Sequence, residues 1–246
     1  MIKEKTILIT GSNGNLAKTM ISYLKKDFNI VGCDINSNNV NNLKEFFIVD
    51  LSNELSVKSF LKNLTDKSIV PDIIINNAAL DSVPKSEESS NGLEYFNFEN
   101  LFNVNVKAPL IISEFFINKW ILNNVKGRII NITSIYSIVS PDPEIYQSGF
   151  IKDILYGSSK SALNSITKQL AVIYSKNNIQ INGIAFGGVE SISHNNDFEK
   201  KYIKRIPIKR FMKPEEILSG IKFLLDENNT YINGSIICID GAYTCI

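Results

Sequence analysis

Short apolar runs alternate with segments of helical periodicity along the 246-residue chain. The apolar runs predict strands near residues 6–10, 29–34, 46–49, 72–76, 128–133, 179–185 and 235–240. Strands separated by helix-length segments usually pair in parallel through crossover helices. The pattern therefore predicts an α/β fold with a doubly wound parallel sheet of these seven strands and helices on both faces.

A further apolar stripe has helical spacing late in the chain and consists of Leu163, Ile166, Leu170 and Ile173. Residues three and four positions apart share one face of a helix. The stripe therefore predicts the buried face of a helix. Burial in the core explains it without a cofactor.

Charge and cysteine content narrow the functional classes. With 26 basic and 25 acidic residues, the chain has no electrostatic footprint for nucleic acid or for an anionic membrane. Cys33, Cys238 and Cys245 are too few and too scattered for a disulfide framework, which favours a reducing cytoplasm. The length suits one domain over residues 1–246, and neither a signal peptide nor a membrane span is predicted.

A metal site is not predicted. His194 is the single histidine and lies in a polar segment, where such a residue is more often solvated than catalytic. The sequence also has no cysteine cluster and no paired-acid motif of the kind that binds metal ions.

Ser134, Tyr156 and Lys160 predict the chemistry. Tyr156 and Lys160 are four residues apart, and such positions share a helix face, so the ammonium can favour the ionised phenol. A free phenol, with a pKa of about 10, is a poor proton shuttle at neutral pH, and a nearby cation corrects this. Ser134 ends a predicted strand and can bond the same substrate oxygen. The three residues suit reversible oxidation of an alcohol with a nicotinamide as the hydride partner.

A glycine turn follows the first predicted strand and precedes a helical segment. Its glycines let the backbone approach a pyrophosphate, whose charge is met by the amides at a helix N-terminus. The cofactor contacts predicted from this turn are Gly11, Ser12, Asn13, Gly14, Asn15 and Leu16. An ordinary loop is the alternative, and the downstream catalytic residues argue against it.

Asp34 ends the second predicted strand, twenty positions after Gly14. A carboxylate at this position can accept a hydrogen bond from the adenosine ribose 2′-hydroxyl and would repel a 2′-phosphate. Residues 35 and 36 are not basic, so NAD is predicted as the cofactor over NADP. The alternative role for Asp34 is a helix cap.

Together these motifs resemble the short-chain dehydrogenase/reductase family nearly end to end. Residues 76–79, Asn-Asn-Ala-Ala, are similar to the family's Asn-Asn-Ala-Gly element. The resemblance implies a single-domain Rossmann fold and a catalytic tetrad of Asn105, Ser134, Tyr156 and Lys160, with Asn105 ordering a water between Lys160 and solvent. The resemblance also implies that Asp50 contacts the adenine, that residues 181–191 hold the nicotinamide and that Lys160 holds the nicotinamide ribose. The further implied cofactor contacts are Leu51, Asn77, Ala78, Ala79, Tyr156, Lys160, Gly187, Val189 and Ser191.

The segment of about residues 135–155 is longer than the family usually allows. It is expected either to form a wall of the substrate site or to be a surface loop or subunit contact. Tyr136, Tyr146 and Gln147 are its candidate substrate contacts, because ring faces and hydrogen-bonding groups suit a polyhydroxylated molecule. The family also implies a loop at about 191–205 that closes over the substrate.

The function predicted from these residues is NAD-dependent interconversion of a secondary alcohol and a ketone on a small molecule. Residues 134–146 resemble, more thinly, bacterial dehydrogenases of flagellin-modification and surface-glycan amino-sugar pathways, which implies an amino sugar or sugar phosphate. Two alternatives remain. A sugar-nucleotide epimerase or dehydratase shares the tight glycine turn but usually needs a large C-terminal domain, and a non-catalytic NAD-sensing protein has no reason to keep the tetrad. The family implies a homodimer or homotetramer.

Overall fold

The computed structural model describes residues 5–37, 43–81, 85–86, 98–146, 150–191 and 196–246. The strands are β1 Thr6–Thr10, β2 Asn29–Asp34, β3 Glu45–Ile48, β4 Ile73–Asn76, β5 Lys85–Ser86, β6 Arg128–Ser134, β7 Phe150–Ile151, β8 Gln180–Phe186 and β9 Ile236–Ile239. The helices are α1 Asn15–Leu24, α2 Glu54–Asp66, α3 Phe98–Phe102, α4 Ala108–Leu122, α5 Ile154–Ile173, α6 Asn196–Arg205 and α7 Ile217–Leu225. A π-helical turn, Asn103–Lys107, joins α3 to α4.

Seven strands form one sheet in the order β3-β2-β1-β4-β6-β8-β9, and each neighbouring pair is parallel. The predicted strand positions are confirmed to within one residue at each end. The strand order reverses between β1 and β4. In open parallel sheets, ligands bind at the carboxyl ends of the strands beside such a reversal.

Two hydrophobic cores cover the faces of the sheet. Ile7 and Ile9 pack into one core with α1 and α7, whereas Leu8 packs into the other with α2, α4 and α5. Strands buried on both faces need continuous apolar runs rather than alternation, which explains the sequence of β1. The predicted doubly wound architecture is confirmed.

One residue of the predicted apolar stripe is not buried. Leu163 and Leu170 are buried on α5, but the side chain of Ile173 is 64% exposed. At about 100° per residue, Ile173 lies about 80° to one side of Leu163, at the last turn of the helix. The buried face is instead completed by Thr167 and Ala171.

A second, two-stranded sheet was not predicted. Lys85–Ser86 pairs with Phe150–Ile151 in antiparallel orientation. Strands of two residues carry no periodic pattern, so their pairing depends on tertiary contacts. This β5–β7 ribbon joins the segment after β4 to the end of the long segment that precedes α5.

Candidate active site

Side-chain hydrogen bonds join the carboxyl ends of β1 and β4 where the strand order reverses. The backbone N–H groups of Asn77 and Ala78 donate to Thr10 Oγ1, each at 3.1 Å. The Asn77 amide donates to the carbonyls of Thr10 at 3.0 Å and Gly11 at 3.1 Å. The Asn-Asn-Ala-Ala element therefore holds the glycine turn in place.

Gly11 has a left-handed φ of 63°, and a Cβ there would lie 2.7 Å from Ala78 Cα. Any other residue would strain this backbone and push the turn away from β4. The Gly14 N–H donates to the Gly11 carbonyl at 3.0 Å, which makes the turn compact just before α1 begins. A tight turn that leads into a helix N-terminus suits a phosphate group.

Asp34 lies beside this turn at the end of β2. Its Oδ2 accepts a hydrogen bond from the Asn13 N–H at 3.0 Å, and its Oδ1 accepts one from the Asn36 N–H at 3.2 Å. These bonds fix a negative charge at the position where the sequence predicts the adenosine ribose.

An open groove of about 1180 Å³, including solvent at its mouth, runs along these strand ends. The predicted cofactor residues that line it are Gly11, Gly14, Asn15, Leu16, Asp34, Asp50, Leu51, Asn77, Ala78 and Ala79. Lining residues that the sequence analysis missed are Ile35, Val49, Ser52, Leu80, Asn100 and Val104. Some directly follow residues already singled out, whereas Asn100 and Val104 reach the groove from a helix and gave no sequence signal.

Two predicted contacts shape the turn and do not line the groove. Ser12 is buried, and its Oγ donates to the Cys33 carbonyl at 3.3 Å, which ties the turn to β2. The Asn13 backbone bonds Asp34, and the Asn13 side chain donates to the Asn36 carbonyl. Direct contact of either residue with a cofactor stays a prediction.

The predicted nicotinamide segment begins next to the catalytic serine. The register of β6 and β8 sets Ser134 beside Phe186, so Gly187 directly follows the residue paired with Ser134. Val189 forms a single β-bridge with a later segment, and Ser191 is half-buried. This pairing brings the 187–191 segment to the same end of the sheet as the tetrad.

Asn105 is fully buried in the π-helical turn between α3 and α4. Its Oδ1 accepts from the Leu80 N–H at 2.8 Å, and its Nδ2 donates to the Leu80 carbonyl at 2.9 Å and to Ser159 Oγ at 3.0 Å. Asn105 thus links the end of the β4 segment to α5. Protein groups thus use both hydrogens of its amide, and a water ordered by Asn105 stays a prediction.

Ser134 and Tyr156 meet between β6 and α5. The Ser134 hydroxyl lies beside the Tyr156 phenol, and its Oγ accepts a hydrogen bond from the Tyr136 N–H at 3.2 Å. The phenol is half-buried at the start of α5. Both groups can therefore bond one substrate oxygen.

Lys160 lies behind the phenol, one helical turn along α5. Its side chain is buried, its Nζ donates to the Ile132 carbonyl at 2.9 Å, and Nζ lies 5.9 Å from the Tyr156 ring centroid. Burial lowers the pKa of Lys160 to about 8, and the nearby Asp81 opposes this change. The predicted side-by-side arrangement of Tyr156 and Lys160 is present.

The expected lowering of the Tyr156 pKa by Lys160 does not occur. Burial and the nearby Asp81 raise the pKa of Tyr156 above its usual range, and the Ser134 hydroxyl only partly offsets this. Removing a phenolate from water is costly, and that cost dominates here. The phenol of this structure is therefore protonated at neutral pH.

Close backbone packing fixes α5 against the turn that follows Ser134. A Cβ on Gly157 would lie 2.8 Å from the Tyr136 carbonyl oxygen. Ser161 Oγ donates to the Ser137 carbonyl at 3.1 Å, so a hydrogen bond supports the same contact. Glycine at 157 therefore sets the approach of the tetrad's helix to its strand.

The long segment between Ser134 and Tyr156 packs within its own chain. Its residues join α6 and the C-terminal turn in a cluster that we call the aromatic wall, formed by Tyr136, Tyr146, Phe198, Tyr202, Phe211 and Tyr243. The Tyr146 and Phe198 rings stack with centroids 5.8 Å apart. The long segment therefore packs directly against α6, which belongs to the predicted substrate loop.

Of the three predicted substrate contacts, two are described. Tyr146 is 8% exposed, and its phenolic oxygen lies 3.3 Å from that of Tyr136, so Tyr146 acts mainly in packing. Tyr136 is half-buried beside the Ser134 turn. Gln147 lies outside the described residues, as does His194.

Within the described part of the chain, no group of three or more His, Cys, Asp or Glu residues could hold a metal ion. In the same ranges, no helix is long and apolar enough to cross a membrane.

Comparisons with known proteins agree with this geometry. A family model described as enoyl-(acyl carrier protein) reductase matches residues 17–244. Glucose 1-dehydrogenase 2 of Bacillus subtilis is 25% identical over 256 residues, covering 98% of this chain and 95% of the relative.

Two solved structures extend the comparison. A short-chain dehydrogenase from Leptospira borgpetersenii with bound NAD+ has a TM-score of 0.87 at 27% identity, covering 98% of this chain and 93% of the other. 4-Hydroxyisoleucine dehydrogenase in complex with NADH has a TM-score of 0.83 at 28% identity, covering 98% and 99%. Because the family model spans nearly the whole chain and these relatives share its fold throughout, the chain belongs to the short-chain dehydrogenase/reductase family of oxidoreductases, which act on CH–OH groups.

Proposed function

We propose that this protein is an NAD-dependent dehydrogenase that interconverts a secondary alcohol and a ketone. The observation that carries the proposal is that the Ser134 hydroxyl and the buried Lys160 both lie beside the Tyr156 phenol ring. This group lies at the same end of the sheet as the groove that contains Asp34.

Each residue of the tetrad has a separate task. Ser134 donates a hydrogen bond to the substrate oxygen, which fixes that oxygen beside the phenol. Tyr156 gives its proton to that oxygen during reduction and takes the hydroxyl proton during oxidation. Lys160 supplies a buried cation beside the phenol, and Asn105 holds α5 to the β4 segment. NAD in this groove would exchange the hydride.

The groove fits a dinucleotide without a 2′-phosphate. The left-handed Gly11 lets the glycine turn pack against Ala78, and Asp34 presents a fixed carboxylate. A carboxylate at this point repels a ribose 2′-phosphate, so the enzyme prefers NAD to NADP. Two structural neighbours have NAD+ or NADH bound, which supports a nicotinamide cofactor in this groove.

The substrate of our proposal is a polyhydroxylated small molecule, with an amino sugar or a sugar phosphate of a bacterial surface-glycan pathway as the specific candidate. One relative is named for glucose and one neighbour for a hydroxylated amino acid. The half-buried Tyr136 supplies a ring face and a hydroxyl beside the Ser134 turn. Such groups discriminate strongly between substrates, because a missing hydroxyl leaves a buried polar group without a partner.

We also propose that the chain works in the cytoplasm as a homodimer or homotetramer. Family membership and the complete tetrad favour this enzyme over a non-catalytic NAD-sensing protein. Relatives matched over nearly their full length are named as dehydrogenases, which favours this function over a sugar-nucleotide epimerase or dehydratase.

The direct experiment is a fluorescence screen for NADH formation. The purified protein and its Tyr156→Phe variant are incubated with NAD and with simple alcohols, sterols, sugars, sugar acids, amino sugars and sugar phosphates. The proposal expects turnover with one polyhydroxylated class, faster with NAD than with NADP, and none from the variant. Turnover confined to sterols or simple alcohols would contradict the substrate assignment.

A further inference from the structure

Lys152 occupies a fixed position immediately before the helix of the catalytic tyrosine. It follows β7 of the β5–β7 ribbon and precedes Asp153, which caps α5 by accepting a hydrogen bond from the Leu155 N–H at 2.8 Å. The strand on one side and the cap on the other hold its backbone. Lys152 is therefore placed four residues before Tyr156 at the start of the helix.

The ammonium of Lys152 lies next to the reacting phenol. Its Nζ is 5.2 Å from the Tyr156 ring centroid and 2.6 Å from Asp81 Oδ1. The Lys152 side chain is only 9% exposed, whereas that of Asp81 is 56% exposed. Desolvating an ammonium is costly unless an anion compensates it, so this site is built for a negative charge.

The partner carboxylate faces solvent. Because Asp81 is exposed, its carboxylate can return to water, but the shielded ammonium must then keep another anion as its partner. A competing anion that enters beside Tyr156 can therefore take the place of Asp81 on Lys152. The cation would then bind that anion in a site already shielded from water.

Neighbouring cations are less suited to this role. Lys160 donates to the Ile132 carbonyl and is buried behind the phenol. On α6, Lys201 and Arg205 are 40% and 47% exposed and form ion pairs on the outer side of the aromatic wall. Among these described cations, Lys152 combines a side chain shielded from water with an exposed partner, Asp81, and a position beside the phenol.

We propose that Lys152 binds an anionic group of the substrate, a carboxylate or a phosphate, and that Asp81 is the partner it exchanges. Because Lys152 Nζ is 5.2 Å from the Tyr156 ring centroid, an anionic group bound to it would be a few bonds from the carbon that reacts. The substrate class is then a hydroxy acid, a sugar acid or a sugar phosphate. This inference rests on the proposed dehydrogenase function and assigns the charge of its substrate.

The first arm of the test measures anion binding without turnover. Malonate and inorganic phosphate are titrated calorimetrically into the NADH-loaded protein and into the Lys152→Met, Lys152→Arg, Asp81→Asn and Lys176→Met variants. Loss of a charge-assisted hydrogen bond weakens binding roughly 10- to 100-fold, which is the effect expected for Lys152→Met. Lys152→Arg should retain anion binding within a few-fold, and Asp81→Asn should tighten it.

The matched control, Lys176→Met, removes an exposed lysine beyond the far end of α5 and should leave the anion affinity unchanged. Equal affinity in wild type and Lys152→Met would overturn the proposal.

The second arm compares paired substrates that differ in the anionic group, such as gluconate with glucose, and glycerol 3-phosphate with glycerol. Lys152→Met should raise KM for the charged member roughly 10- to 100-fold and leave the neutral member within a few-fold. An equal rise of KM for both members, or a shift of the pH profile for the neutral member, would mean that Lys152 acts on the structure or on Tyr156. Either result would overturn the proposal.

Failure of the dehydrogenase function itself would look different, because no substrate pair would then give NADH that depends on Tyr156. The binding arm would still decide the role of Lys152. The carboxylate pair and the phosphate pair are measured separately, so the larger effect of Lys152→Met identifies the anionic group that the enzyme recognises.

Discussion

The carboxylate of Asp34 accepts a hydrogen bond from the backbone N–H of Asn13, with Oδ2 and N 3.0 Å apart. This bond joins the end of β2 to the glycine turn after β1. Asp34 therefore has two roles, because it sets the local charge and it orders the turn that meets the cofactor phosphates. Substitutions can separate these roles.

Asp34→Asn should retain an oxygen for the Asn13 N–H while it removes the negative charge. We expect the preference in kcat/KM for NAD over NADP to narrow roughly 10-fold, because the repulsion of the 2′-phosphate is lost. Asp34→Ala should narrow the preference as well and also raise KM for NAD, since the turn loses its anchor. Steady-state kinetics with both cofactors checks this, and a wild-type enzyme that prefers NADP would refute the role of the charge.

The low pKa of Lys160 predicts a pH-dependent stability. Burial lowers this pKa from 10.5 to about 8, so the unfolded chain binds more protons at this residue between those values. The cost of burying the charged lysine is thus fully present below pH 8 and declines as the pH rises toward 10.5. Lys160→Met should therefore raise the free energy of unfolding above that of wild type, by more at pH 7 than near pH 10. Urea unfolding at both pH values measures this difference. A constant difference across this range would contradict the buried cation.

Tyr146 should be important for stability rather than for direct substrate contact. Its ring is buried against Phe198, so Tyr146→Ala should lower the free energy of unfolding by about 3 kcal/mol and loosen the aromatic wall. Tyr146→Phe keeps the ring and should cost about 1 kcal/mol, the worth of the bond to Tyr136. Urea unfolding and kcat/KM measure the two effects, with NAD affinity unchanged in both variants. If the alanine and phenylalanine variants were equally stable, the packing role would be excluded.

Gly157→Ala tests the approach of α5 to β6. The new Cβ would lie 2.8 Å from a backbone oxygen of Tyr136, so the helix must move. A displacement of this kind misplaces the phenol relative to Ser134, and a fall in kcat of roughly 100-fold is expected with little change in NAD affinity. Ser158→Ala, at the next and exposed position, is the matched control and should retain full activity. Equal activity of the two variants would show that the contact is not needed.

The sequence predicted the main sheet and the side-by-side placement of Tyr156 and Lys160 because both depend on local patterns. Apolar runs buried on both faces mark parallel strands, and Tyr156 and Lys160 are one helical turn apart on the same helix. Asp34 and the glycines were found because each lies at the end of a predicted strand.

The unpredicted features depend on tertiary contacts. The ion pair of Lys152 and Asp81 joins residues 71 positions apart, and the β5–β7 ribbon that precedes Lys152 is too short for periodicity. The burial of Tyr146 depends on rings from α6, and the exposure of Ile173 depends on where α5 leaves the core. The sequence spacing predicted that Lys160 would lower the pKa of Tyr156. Burial of the phenol, which depends on tertiary contacts, instead raises this pKa.

The central claim is that the Tyr156 phenol exchanges the proton of the substrate. Single-turnover NADH formation with the best substrate of the screen, in wild type and Tyr156→Phe, measures this most directly, together with NAD binding by calorimetry. We predict that the variant binds NAD within a few-fold of wild type and forms NADH at least roughly 1000-fold more slowly, because the ring and its packing remain but the exchangeable proton is gone. Lys160→Ala should impair both NADH formation and NAD binding. NADH formation by Tyr156→Phe within a few-fold of wild type would contradict the mechanism.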